Sequence, residues 1–238
     1  METQAQQVFD GLEKGILNII KAADLFTIHL LANNRNEEPS CEVIQAILTG
    51  PAISGFSLLG ESYNKEEINM FENREHVRRI GEQIILATYT AVEVYLIAKF
   101  KEYYTYFLKD IPSGLAQNSI KRFSFRSLEE IKNHFFDVLD IHLPSFEVEY
   151  YTNTKSQFQP KDSWTALVLL AKTRNEIAHT GQSTNYKIIT LMDSWYPFDF
   201  ARRWVSLFDA NFDFFVYQQR ETELIKEYKQ RLQQLTLE

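Results

Sequence analysis

The stretch "IILATYTAVEVYLIAKF", residues 84–100, is the most apolar run in the chain, and its reading decides the fold. Its 17 residues include Glu93 and Lys99. A bilayer-spanning helix needs about 20 apolar residues with few or no charges. The run therefore reads as a helix buried inside a protein core, and no membrane association is expected. Around it, the sequence is almost continuously helix-compatible from Glu66 to about Lys109, with Gly81 as the place for a bend. "DIPSG" at 110–114 stops the pattern through Pro112 and Gly114.

The composition agrees with a large helical core. Of 238 residues, 45% are apolar and 14% aromatic, with 18 Phe and 12 Tyr available to fill an interior. Only 8 Gly and 6 Pro punctuate the chain, which favours long helices over many short strands. A formal charge of −7 disfavours nonspecific binding along duplex DNA, which calls for a basic footprint. It leaves room for a local basic cleft. The single cysteine, Cys41, rules out an internal disulfide and a multi-cysteine zinc site, and points to a reducing, cytoplasmic setting. The first fifteen residues lack the basic-then-apolar layout of a signal peptide.

Other elements follow from periodicity and caps. Residues 4–33 place Val8, Leu12, Ile16, Ile19, Ile20 and Ala23 at helical spacing. "NNRNEEPS" at 33–40 breaks the pattern before a short apolar stretch at 43–48, and the Gly-rich segment 49–65 reads as an irregular link. Residues 1–65 are thus expected to be an N-terminal helical appendage on a domain spanning 66–238. Ser127, with Glu130 three residues on, forms a capping box for a helix over 127–141. The segment 144–160 is β-rich and reads as an extended loop or a lone strand. Asp162 or Ser163 caps a helix through His179, which Gly181 closes. A last helix is expected from Pro197, a good first-turn residue, to near Leu235. The fold class is all-α: two antiparallel helix pairs, 75–109 with 127–141 and 162–179 with 198–235.

Chemistry concentrates at the end of the helix closed by Gly181, in "LLAKTRNEIAHTG" at 169–181. Arg174 and His179 are five positions apart, which places them about 140° apart on an ideal helix. Asn175 and His179, four apart, share a face. An arginine is long enough to curl towards the histidine. In the last turn the helix dipole favours a protonated imidazole, which suits a general acid or base. Cations in a last turn are also an ordinary helix-ending device. Glu93 adds a second signal, because an ionised carboxylate in an apolar run is costly unless paired. If it points inward, Arg174 is its partner.

"RNEIAH" at 174–179 resembles the R-x4-6-H motif of the HEPN domain superfamily, in its Arg-Asn-x-x-x-His form. "YTAVEVYLIAKFKEYY" at 89–104 is similar to that family's earlier long helix with an embedded acidic residue. The resemblance spans roughly residues 70–235 and implies an HEPN-like bundle. It implies a metal-independent endoribonuclease with no cofactor, acting as a homodimer whose two motifs face each other across a cleft. Carried over, Arg174 and His179 would be catalytic, with Asn175 and Glu93 supporting them. Lys172, Arg202 and Arg203 are candidate RNA contacts. Such enzymes serve as toxins or in anti-phage defence, so an antitoxin or defence-system component is a candidate partner. Gly181 stands where some members carry a modifiable Tyr, so regulation by that route is not expected. The alternative is a catalytically silent HEPN-like module binding RNA, nucleotide or a protein partner.

The other histidines, His29, His76, His134 and His142, show no metal-ligand spacing. "REHVRR" at 74–79 and "KRFSFR" at 121–126 are small basic clusters that read first as solvated surface and second as RNA-backbone contacts.

Overall fold

The computed structural model describes residues 3–49, 75–108, 113–149, 158–184, 186–188 and 191–235. They form an all-α bundle of helices α1 (Gln4–Asn34), α2 (Cys41–Thr49), α3 (Glu75–Phe107), α4 (Ser113–Ile120), α5 (Leu128–Leu139), α6 (Ser163–Thr180) and α7 (Leu191–Leu235). A 3-10 turn at Leu143–Ser145 follows α5. Among the described residues there is no strand. Most of the link expected at 49–65, the start of the long helix at 66–74 and the β-rich residues 150–157 lie outside the described residues.

Helix α3 is the centre of the bundle. It packs most extensively against α1, then α7 and α6, with lesser contacts to α5 and α4. Ile84, Ile85, Ala91, Val92, Tyr95, Leu96 and Phe100 are all buried, so the apolar length of α3 is consumed by neighbouring helices. Both α1 and α3 are long and apolar enough to cross a bilayer by length and composition, a test that core helices also pass. Phe9, Ile16, Ile20 and Ala23 of α1 belong to the same core cluster as α3. The opposite stripe of α1, with Val8, Leu12, Ile19 and Phe26, remains exposed.

Local sequence explains where the helices start and stop. Ser127 Oγ accepts from the Glu130 amide at 3.1 Å, and the Glu130 carboxylate accepts from the Arg126 amide at 2.8 Å. That is the reciprocal capping box read from the sequence. Asp140 ends α5 in the left-handed region, at φ 58°. Pro197 is a correction: it lies inside α7, which begins at Leu191, rather than in its first turn. A proline there has no N–H for the carbonyl four residues back. The Tyr186 hydroxyl donates to that carbonyl, on Asp193, and the helix passes through. Gly81 lies within α3 beneath the same segment; a Cβ there would meet Ile188 Cγ2 at 2.5 Å, so only glycine permits this approach.

A buried polar knot fixes α1, α3 and α7 together. Asp209 Oδ1 on α7 accepts from Lys99 Nζ at 2.7 Å and from the Tyr95 hydroxyl at 3.0 Å. It also accepts from Thr3 Oγ1 at 2.9 Å, and Thr3 caps α1 by accepting from the Gln6 amide. Lys99 Nζ lies 4.7 Å from the Phe212 ring centre. Burial, then Asp209, pushes the Tyr95 hydroxyl up, so it stays a donor. Asp24 is the opposite case: it is buried, and neither carboxylate oxygen has a hydrogen-bond partner. Burial pushes its carboxyl up to about 7.

Two outcomes follow. Asp209→Ala leaves Lys99 buried without its counter-charge and should cost about 3 kcal/mol or more, read as a lower midpoint in urea; an unchanged midpoint would contradict the knot. Asp24, with a folded value raised above its unfolded one, stabilises fully only below about pH 4, and that contribution is lost as pH rises through about 7. The difference is on the order of 4 kcal/mol. Asp24→Asn should therefore melt higher than the parent at pH 8, with the advantage shrinking towards pH 4. Parallel melting curves across that range would show that Asp24 is not responsible.

Candidate active site

Helix α6 carries the motif, and both its ends are tied down. Asp162 caps the start by accepting from the Thr165 amide at 2.6 Å, which holds its carboxyl below the usual range. At the other end Gly181 adopts φ 76°, and its amide donates to the Ile177 carbonyl at 2.8 Å. Thr180 Oγ1 lies within hydrogen-bond distance of the Glu176 and Gln182 carbonyls, while the Glu176 carboxylate accepts from Ser183 and Thr184. Arg79 of α3 donates to the Gly181 carbonyl and pairs with the buried Glu82 at 3.2 Å. The basic cluster at 74–79 thus anchors the motif helix through Arg79.

One turn before this anchored end, α6 faces a cleft of about 190 Å³. Trp164, Val168, Ala171 and Asn175 line it at four- and three-residue spacing, one continuous face of the helix. Tyr89 and Glu93 of α3 form the far wall, and the start of α5 closes one side. The Arg174 guanidinium lies 5.8 Å from the Tyr89 ring centre and donates to Asn175 Oδ1 at 2.9 Å. This bond draws Arg174 towards the Asn175 face. Burial raises the Glu93 carboxyl, and the charge of Arg174 partly offsets the shift. Arg174 acts on Glu93 through space, without the direct ion pair that the sequence suggested.

The structure brings together Arg174, Asn175, Glu93 and Lys172, all of which line the cleft. His179 does not line it: it is exposed, one turn beyond Asn175 on the same side of α6. Arg202 and Arg203 are also elsewhere. Arg202 pairs with Glu13 of α1 at 3.6 Å, and Arg203 with Asp199 at 2.8 Å. Among the described residues, no group of three His, Cys, Asp or Glu side chains could hold a metal ion.

Tyr89, Trp164 and Arg126 are the cleft residues that motif reading passed over. Tyr89 stands one turn before Glu93, a spacing that would have marked it as its neighbour. In "KRFSFR" the two aromatics have a structural role: Phe123 and Phe125 stack edge-on against buried Phe100 at 5.1 and 5.5 Å. Only Arg126 of that cluster reaches the cleft.

Comparison with known proteins adds no constraint: no family model, no curated protein and no solved structure matches the chain. The site therefore rests on its own geometry. Because Gly181 is in the left-handed region and a Cβ there would meet nothing closer than Arg79 Nη1 at 3.9 Å, Gly181→Ala carries a backbone penalty alone. It should lower stability by about 1 kcal/mol in thermal melts; a neutral result would mean that the end of α6 is not held in this conformation.

Proposed function

We propose that this chain is an HEPN-type, metal-independent endoribonuclease that works as a homodimer. The observation carrying this reading is Arg174, held by Asn175 and Tyr89 in a cleft with Glu93. His179 stands outside that cleft, in the last turn of a helix whose end is pinned. This arrangement suits a reaction in which RNA supplies its own nucleophile. The 2′-oxygen attacks the adjacent phosphorus, the bond from phosphorus to the 5′-oxygen breaks, and a 2′,3′-cyclic phosphate and a 5′-hydroxyl result. His179 takes the proton from the 2′-hydroxyl or delivers one to the leaving 5′-oxygen. Arg174 stabilises the negative charge that develops on the phosphoryl oxygens. Glu93, half-buried and close enough to feel Arg174, holds the guanidinium's field in place from the α3 side.

The position of His179 outside the cleft is the reason for the dimer. In one chain the exposed imidazole and the guanidinium begin about 140° apart around α6. A second motif facing the first supplies an acid and a base to one phosphodiester. The same exposure of His179 also favours a second reading, a silent helical module whose cleft binds RNA or a nucleotide without cleaving it. A role as a toxin or anti-phage effector, restrained by an antitoxin or a defence-system partner, belongs with the first reading.

The two readings separate in one assay. Purified protein incubated with RNA in excess EDTA should yield fragments ending in 2′,3′-cyclic phosphate. Arg174→Ala and His179→Ala should each lower the rate by about 100-fold or more. Cleavage by both variants at the parent's rate defeats the enzyme reading. Binding without cleavage by the parent favours the silent module.

A further inference from the structure

We propose that the mouth of this cleft, between the start of α5 and the cleft-facing side of α6, is an accessory phosphate subsite. It would take a backbone phosphate of an unpaired strand, with the attached base against Trp164. The choice of an RNA strand as ligand rests on the function proposed above; the subsite itself rests on the charges around it.

Three cations line the cleft: Arg126, Lys172 and Arg174. Elsewhere, Arg78, Arg79, Lys99, Lys132, Arg202 and Arg203 each pair with a carboxylate. Arg174 is engaged by the neutral Asn175 and by the Tyr89 ring. Arg126 and Lys172 both line the cleft with exposed side chains, and the Arg126 backbone amide is taken by the Glu130 carboxylate in the capping box. Of the two acids of the cleft, Glu129 is turned to Lys132 and Glu93 acts on Arg174 through space. In a chain carrying −7 overall, three cations thus line one concave place against two carboxylates, one of them paired with Lys132.

The backbone adds a second source of attraction. In α5 the Ser127 hydroxyl takes the Glu130 amide, and the Ile131 amide turns back to Ser127 O. The first-turn amides of Leu128 and Glu129 are left over, as at any helix start. Both residues line the cleft. A helix start with free amides attracts phosphate oxygens, and the flanking Arg126 and Lys172 place full charges on the same spot. Trp164 supplies the apolar part: it is half-buried at the cleft wall, whereas Trp195 and Trp204 are buried in the core. Stacking on an aromatic ring is a sequence-tolerant way to hold an unpaired base. A volume of about 190 Å³ lies below the range of drug-sized sites, of about 300 Å³ upward, so it suits a single base with its phosphate at the mouth.

The test uses the full chain and probes that resist cleavage. A 2′-O-methyl oligonucleotide, adenosine 5′-monophosphate and inorganic phosphate are titrated separately, read by tryptophan fluorescence and by calorimetry. The oligonucleotide should bind and perturb the fluorescence. The double variant Arg126→Ala, Lys172→Ala should weaken binding about 10-fold or more, with an unchanged circular dichroism spectrum and melting curve. Trp164→Leu should remove the fluorescence change. Tighter binding of the mononucleotide than of the oligonucleotide would assign the subsite to a free nucleotide rather than a strand, and so overturn the strand proposal. Equal oligonucleotide binding by the double variant and the parent, or no binding by the parent at millimolar probe, also overturns it. None of these probes is cleaved, so a protein that binds through Arg126 and Lys172 yet cuts no RNA keeps the subsite and loses only the ribonuclease reading.

Discussion

A single carboxylate oxygen, Asp209 Oδ1, receives the ammonium of Lys99, the hydroxyl of Tyr95 and the hydroxyl of Thr3. Thr3 is also the cap that starts α1. The interaction therefore fixes the register of three helices at once, with Lys99 buried and Asp209 nearly so. Apolar packing around α3 supplies the bulk of the driving force, but it is non-directional. A directional buried pair excludes slipped arrangements that would leave a charge unmatched. With α1 and α7 placed on one side of α3, the other side is left for α6.

That division of α3 into two sides links the core to the candidate site. Tyr95 and Lys99 point to the knot, while Tyr89 and Glu93 line the cleft. The two pairs are each one turn long, and on an ideal helix they lie on faces about 120° apart. The same helix that carries the stabilising ion pair thus carries the wall against which Arg174 rests. Arg79, further along α3, reaches the end of α6 at Gly181. Rigid placement of the motif depends on α3 at two points, one at the cleft and one at the helix end.

Much of this was legible in the residues. Ser127 with Glu130, Asp162 with Thr165 and Gly181 are local devices, and each acts where spacing placed it. The buried reading of residues 84–100 holds for the same reason: charge within an apolar run demands partners that a protein interior can provide. Other features depend on neighbours distant in sequence. Pro197 looks like a helix start because its ring removes a donor; only the hydroxyl of Tyr186, brought alongside, lets the helix begin six residues earlier. Phe123 and Phe125 look like base-stacking residues until Phe100 is seen between them. Arg202 looks like a cleft residue until Glu13 of α1 is found beside it.

The sequence by itself determined the helical class and the helix ends governed by caps, because these depend on interactions within a few positions of one another. Tertiary structure alone decided which charges line the cleft, and that Lys99 meets Asp209 and Arg202 meets Glu13. It also decided that Glu93 meets Arg174 through space, and that His179 stands outside the cleft on its exposed side. The physical reason is that burial and charge compensation are properties of juxtaposition: a carboxylate or guanidinium has the same formal charge wherever it stands in the chain, and only its neighbours determine whether that charge is free to act.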